Sequence, residues 1–236
     1  MKIDDFILQM QELLKGSSFA KRTWIVGGVP RDLQLGKTDF RDFDLCIEQR
    51  YGASKLAEYL NRKHPPLSYE IFPRFATAKL VYESFSLDLA QSRIELYESG
   101  RRYPKTRFAR VDKDYLRRDF TINSLYLNLF TKELKDPSGS ALKHIQEGKI
   151  QTIRAPEEVF LEDSLRILRG IRFATTLGFE IEENTAEAMK KLSFTCLKLS
   201  SKNLKYELEQ IANHPQKERG KKLLSDFSLS ELLKFL

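Results

Sequence analysis

Arg41-Asp42-Phe43-Asp44-Leu45 sets two carboxylates two residues apart in a stretch, 40 to 48, whose apolar content predicts a β-strand. A period of two puts both acids on one face, ~6.6 Å apart along the backbone, with the aromatic ring and leucine on the other. Two anions sharing a face repel each other until water or a cation relieves them, and hard carboxylate oxygens suit Mg2+. A lone DxD is common on solvated strand edges, so the pair gains weight only from its company. Asp88, in Ser86-Leu87-Asp88-Leu89, offers a third acid between apolar residues on a second strand. Three carboxylates meeting on a sheet suit a two-metal site that activates a hydroxyl and steadies a leaving pyrophosphate. Asp88 would then take the hydroxyl proton or complete the metal shell.

Gly27-Gly28-Val29-Pro30-Arg31-Asp32 follows the short apolar run 23 to 26 and precedes a polar stretch able to start a helix. Bare backbone N–H groups and an arginine at such a turn can cradle a triphosphate. Taken alone, a Gly-Gly turn before a helix is ordinary turn chemistry, and the pattern is neither GxxxxGK[ST] nor GxGxxG. Arg117-Arg118-Asp119 before an apolar run is, by itself, a salt-bridged helix start.

Elements must hold these residues in place. Ile3, Phe6, Ile7, Met10, Leu13 and Leu14 recur at helical spacing, so 3 to 15 is expected to be an amphipathic helix ending near Gly16. Strands are expected at 23 to 26 and 40 to 48, a helix at 53 to 63, and a hairpin from 75 to 82 and 84 to 90. After the turn cluster Asp136-Pro137-Ser138-Gly139-Ser140 the β signals fade. Helical patterns then run over 156 to 176, 184 to 192, 201 to 213 and 218 to 235. The expected fold is α+β, a mixed-sheet head over 1–137 followed by an all-helical neck over 138–236, with the boundary between 137 and 155.

Composition narrows the function classes. A chain of 236 residues with 41% hydrophobic content can bury a core, and a net charge of +7 favours a polyanionic partner. The two cysteines, Cys46 and Cys196, are too few for a disulfide framework or a structural zinc site and fit a reducing cytosol. No stretch approaches ~20 consecutive apolar residues, and no export signal is visible, so no membrane association is expected.

In combination these features are far more specific. Residues 27 to 45, GGVPRDLQLGKTDFRDFDL, resemble the first motif of the class II tRNA nucleotidyltransferases and bacterial poly(A) polymerases. The likeness continues at RRDFTIN (117 to 123), DPSG (136 to 139) and EDSLRILRGIRFATTLGF (162 to 179), and covers roughly residues 20 to 190 with the order intact. It implies a palm domain and a helical neck that extend the 3′ acceptor end of tRNA from CTP and ATP with Mg2+. It implies metal ligands at Asp42 and Asp44, triphosphate contacts at Gly27, Gly28 and Arg31, ribose contacts at Asp119 and Asn123, and phosphate contacts at Arg117 and Arg118. In the same likeness Asp163, Arg166 and Arg169 contact the nucleotide, in a segment that replaces a nucleic-acid template.

That template role has a physical reading. Asp163 and Arg166, three apart, are expected on one side of a helix, one accepting only and the other donating only. Cytosine and adenine present an amine donor beside a ring-nitrogen acceptor, whereas guanine and uracil present a carbonyl beside a ring N–H. The pair fits C and A and leaves groups unpaired against G and U. The plainer reading is an i, i+4 surface pair of Glu162 with Arg166.

Several departures stand out. Pro30 replaces the family's usual branched residue or alanine, and Asn203, in SSKNLKYELE (200 to 209), stands where that helix usually carries an arginine. The family's helical body and tail are expected to be absent. Phe75-Ala76-Thr77-Ala78 and the segment 92 to 100, likened to a loop that switches from C to A, favour the CCA group over poly(A) polymerase. A catalytically silent RNA-binding module and a nucleotide-signalling transferase are the rivals from other classes. The apolar residues among Lys221, Lys222, Leu223, Leu224, Phe227, Leu229, Leu232, Leu233, Phe235 and Leu236 are expected to fold back as one C-terminal helix, favouring a monomer.

Overall fold

The stripe Ile3, Phe6, Ile7, Met10 and Leu14 forms the buried face of α1 (Ile3–Leu14). It docks where the sheet is most apolar: the Phe6 ring stacks on Phe43 with centroids 3.6 Å apart. The computed structural model describes residues 1–97 and 104–235. By contact density the chain divides into a first unit, Met1–Arg118 with Asn123–Leu142, and a second, Asp119–Ile122 with Lys143–Leu236. The path thus enters the second unit briefly at Asp119–Ile122 and returns before leaving after Leu142, a double crossing that a single boundary does not anticipate.

In the first unit α1 is followed by β1 (Thr23–Val26), α2 (Gly28–Gln34), β2 (Asp42–Ile47), α3 (Gly52–Lys63), β3 (Ser68–Phe72), β4 (Thr77–Val81) and β5 (Ser86–Gln91). Then come β6 (Arg93–Leu96), β7 (Lys105–Phe108), α4 (Val111–Asp114), β8 (Tyr126–Asn128) and β9 (Leu134–Lys135). Seven strands make one sheet in the order β3-β4-β5-β2-β1-β8-β9. The β2–β5 pair is parallel and the others are antiparallel, so the sheet is mixed. Alternation along β2 buries Phe43 and Leu45 in the core shared with α1 and α3 and turns Asp42 and Asp44 to the other face. The hairpin β6–β7 is separate. Periodicity misses β3, whose mostly exposed residues alternate weakly, and β8, which follows directly on RRDFTIN.

The second unit continues with α5 (Ala141–Gln146), β10 (Lys149–Ile150), α6 (Pro156–Glu162), α7 (Leu165–Leu177), β11 (Glu180–Ile181), α8 (Glu183–Leu192), α9 (Ser201–Ala212) and α10 (Lys217–Asp226). A small parallel pair, β10–β11, interrupts the expected all-helical run. Two long helices expected from periodicity are broken. The first breaks at Asp163, which is extended (φ −153°) and accepts from the Leu165 N–H at 3.0 Å, an Asx turn that competes with the helix. The second breaks at Ser228, left-handed at φ 59°, where the Leu229 N–H returns to the Leu224 carbonyl at 2.7 Å and a 3-10 turn over Ser230–Phe235 follows. Leu224, Leu229 and Leu232 are buried in this unit, so the C-terminal residues fold back, though not as one helix, and Leu236 lies outside the described residues. Among the described residues no helix is long and apolar enough to cross a membrane.

Candidate active site

Asp42 and Asp44 stand exposed on one face of β2. The Ser86 hydroxyl donates to Asp42 Oδ1 at 2.6 Å, orienting that carboxylate from the neighbouring strand. Asp88 lies directly opposite Asp44 in the parallel register. Its carboxylate is engaged by Lys79, across the β4–β5 pair, at 2.9 and 3.1 Å, with both side chains about half exposed at 48%. Among the described residues no group of three or more His, Cys, Asp or Glu side chains is gathered as a protein-only metal cage requires.

Val26 pairs with Asp44, so the glycine turn begins beside the acids. Gly27 has φ 72° and ψ −128°, and a Cβ there would lie 2.7 Å from Asp44 Oδ2. Both the backbone angle and the carboxylate therefore require glycine. At Gly28 a Cβ would lie 3.4 Å from an Arg31 nitrogen, so the bare turn covers the guanidinium. Arg31 is buried, donates to Asp32 Oδ1 and gives Nη1 to Asn123 Oδ1 at 2.7 Å, tying the turn to the end of RRDFTIN. Pro30 falls in the first turn of α2, where a missing N–H costs nothing, so this departure leaves Arg31 in place.

Arg117 and Arg118 converge on Asp114, a fully buried carboxylate. Arg117 Nε donates to it at 2.9 Å, Arg118 approaches at 3.4 Å, the Tyr126 hydroxyl donates at 2.7 Å and the Arg93 N–H at 2.8 Å. Burial alone would raise the Asp114 pKa, but the two guanidiniums outweigh it and hold the carboxyl at about 2. Arg118 also lies over the Tyr126 ring, 4.9 Å from its centroid. Sequence reading missed Asp114, because an acid three residues before an arginine looks like any helical pair. Burial likewise pushes the thiols of Cys46 and Cys196 up, the latter to about 12, so neither is poised as a nucleophile.

In the second unit Asp119 is buried, caps its own Phe120 N–H at 2.8 Å and accepts from Arg169 Nε at 2.6 Å. Asp119 raises the Arg169 pKa, so that cation is permanent. Glu207 of α9, almost fully buried, accepts from Arg172 Nε at 2.5 Å and lies 3.8 Å from Arg169. An Arg172–Glu207–Arg169–Asp119 relay results. Arg166 is buried, donates to the Val159 carbonyl at 3.2 Å and pairs with Glu162 at 2.9 Å; Glu162 is shared with Arg154. The Glu162–Arg166 pair thus forms, but buried between α6 and α7. Asp163 is not on that helix; it is exposed at the break before it.

The poly A polymerase head domain pattern matches residues 23–151, more than half of the chain. The chain belongs to the poly(A) polymerase head-domain family. It is 37% identical over 174 residues to the A-adding tRNA nucleotidyltransferase of Aquifex aeolicus, which covers 72% of this chain and 20% of that protein. It is 31% identical over 214 residues to the CCA-adding enzyme of Bacillus pumilus, covering 90% of this chain and 51% of the relative. A solved tRNA nucleotidyltransferase complexed with a primer tRNA and an incoming ATP analog matches at a TM-score of 0.74 and 27% identity, over 95% of this chain and 61% of that one. The chain spans about half or less of the length of the curated relatives it matches.

Asp42 and Asp44 offer the hard oxygen donors that a divalent cation takes. Mg2+ is commonly held by one or two carboxylates plus substrate phosphates rather than by a closed protein cage, and Asp42 with Asp44 is such a pair. Gly27, by lacking a Cβ, leaves room for Asp44 Oδ2 beside the turn. Asn203 is exposed on α9, and Glu207, one turn further along, supplies the buried charge of that helix. DPSG forms a turn and cap: Ser138 donates to Asp136 at 2.6 Å and accepts from the Ala141 N–H at 3.2 Å. Part of the segment 92 to 100 forms β6, and residues 98–100 lie outside the described residues.

Proposed function

We propose that this chain carries the catalytic head and neck of a template-independent RNA nucleotidyltransferase. It would add C and A from CTP and ATP to the 3′ end of tRNA, working as a monomer in the cytosol. The observation that carries the reading is the exposed Asp42/Asp44 pair beside a glycine turn where a Cβ at Gly27 would lie 2.7 Å from Asp44 Oδ2. Relatives with 37% and 31% identity, named for A-adding and CCA-adding respectively, support it.

The RNA 3′-oxygen forms a bond to the nucleotide α-phosphorus while the bond to the β-phosphate bridge breaks and pyrophosphate leaves. Asp42 and Asp44 would hold Mg2+, which when bound would neutralise phosphate charge and favour the ionised hydroxyl. The turn amides of Gly27 and Gly28, with Arg31, Arg117 and Arg118, present donors and positive charge to the triphosphate, while Asp119 and Asn123 orient the ribose. Asp88, which Lys79 engages, would accept the hydroxyl proton or complete the metal shell. Asp163, Arg166 and Arg169 read the base and its neighbouring phosphate. Poly(A) synthesis is the second reading, since the family is named for it.

Labelled CTP and ATP, supplied separately and together to tRNA lacking its terminal CCA and to a generic RNA, decide between them. CTP incorporation restricted to tRNA supports the first reading. ATP-only extension of any RNA supports the second, and no incorporation of either defeats both.

A further inference from the structure

A cavity of about 510 Å³ opens in the first unit past the ends of β2 and β5. Gln91, in its wall, pairs with Ile47, five residues beyond Asp42. On the order of 15 Å of strand therefore separates the cavity from the Asp42 carboxylate. From Asp44 the strand distance is on the order of 10 Å, so the cavity lies at the other end of β2 from the acids.

Among the described residues the wall holds three arginines, Arg50, Arg74 and Arg107, and no carboxylate. Two nearby acids are taken: Glu48, two residues from Arg50, by Arg110 at 3.2 Å, and Glu95, opposite Thr106 on the paired strand, by Arg93 at 2.9 Å. Among the described residues neither Arg50 nor Arg107 makes an ion pair. Arg50 and Arg107, like charges lining one cavity, repel each other, and an anion relieves them.

Backbone strain points to the same place. Tyr51 and Ala76 both line the cavity and have left-handed φ values of 58° and 50°, two of only four such non-glycine residues among those described. A bulky side chain at such an angle is costly, and costs of this kind gather where a site needs them. The Tyr51 ring is 72% exposed, so core packing does not explain it, and its N–H is held by Gln91 Oε1. An exposed ring beside guanidiniums is a stacking platform for a nucleic-acid base.

We propose that this cavity binds the phosphodiester groups of a single-stranded RNA segment, with Arg50, Arg74 and Arg107 on the phosphates and Tyr51 under a base. The inference rests on RNA being the substrate, as proposed above, but not on nucleotide transfer. Free nucleoside triphosphate offers the same phosphate chemistry, so the test includes it.

Fluorescence anisotropy of a labelled short single-stranded RNA and, in a separate arm, of labelled ATP, over a salt series with the full chain and without magnesium, reads the site directly. A triple Arg50→Gln, Arg74→Gln, Arg107→Gln variant should bind about tenfold more weakly at low salt. Its slope of log affinity against log salt should flatten by about 2, since each lost single-strand phosphate contact removes about 0.7. The matching triple lysine variant should keep the wild-type slope. Tyr51→Asn, which tolerates the left-handed angle, should weaken RNA binding several-fold without lowering the Tm. Unchanged RNA affinity and slope in the glutamine variant overturns the proposal, as does loss of ATP binding with RNA binding intact. If wild-type protein transfers no nucleotide yet the glutamine variant shows the binding loss, the catalytic reading fails and this one stands.

Discussion

Asp42 and Asp44 face solvent while Phe43 between them is locked in the core, so either acid can be shortened without opening a cavity. Asp42→Ala and Asp44→Ala are expected to keep the wild-type Tm within about 2 °C while transfer falls below ~1% of wild type in saturating magnesium. Retained turnover at normal magnesium would show that the pair does not hold the cation. Asp114 behaves in the opposite way, because it is buried beneath two guanidiniums. Its carboxyl is held at about 2, against an ordinary 3.8, so it contributes stability that is complete above about pH 4 and is lost as pH falls through 2. The shift corresponds to about 2 kcal/mol. Asp114→Asn leaves Arg117 and Arg118 without their anion and is expected to cost about 3 kcal/mol in urea unfolding at pH 7. The gap between variant and wild type should narrow toward pH 3. A gap independent of pH would mean that the carboxylate charge is not what holds the arginines.

At the scale of elements, the glycine turn and the α6–α7 junction carry the remaining chemistry. Gly27→Ala meets a glycine-only backbone angle and a contact of 2.7 Å to Asp44 Oδ2. It is expected to cost about 1–3 kcal/mol of stability and to reduce transfer at least as much as Asp44→Ala does. Normal activity in this variant would show that the turn yields without moving the carboxylate. Arg166 is fixed by the Val159 carbonyl and Glu162, so Arg166→Ala is expected to relax the preference for C and A over G and U more than it weakens triphosphate binding. Equal loss for all four nucleotides, measured as kcat/KM, would make Arg166 a purely structural residue. The DxD alternation, the turn and α1 were all legible in the sequence because each is a short-range pattern with one physical cause. The break at Asp163 was not, since apolar spacing continues across it and the deciding bond is a local side-chain turn. Lys79, Ser86 and Glu207 were illegible for a different reason: their partners come from strands or helices that only the fold brings near, whereas Asp114 and its arginines look like an ordinary local helical pair.

At the scale of the whole molecule, the sequence suggested one boundary, but the chain crosses between its two units more than once. Phe120 belongs to the second unit, is fully buried there, and meets Phe173 edge-on with centroids 6.0 Å apart. Gly170 makes room for it, since a Cβ at that position would lie 3.0 Å from Phe120 Cζ and 3.3 Å from Met189 Cε. The Phe120–Thr152 bridge fixes the backbone on either side. A fragment of residues 143–236 therefore lacks a core ring that nothing in its own sequence replaces. Removing a buried phenylalanine commonly costs about 3–5 kcal/mol, a large part of what a unit of this size has. The fragment is expected to keep helical far-UV circular dichroism but to lose near-UV signal and cooperative urea unfolding, as a loosely packed state does. A fragment starting at residue 115 restores Phe120 and is expected to unfold more cooperatively. Cooperative unfolding of 143–236 with a native-like near-UV spectrum would show instead that Phe120 is dispensable and that the two units separate cleanly after Leu142.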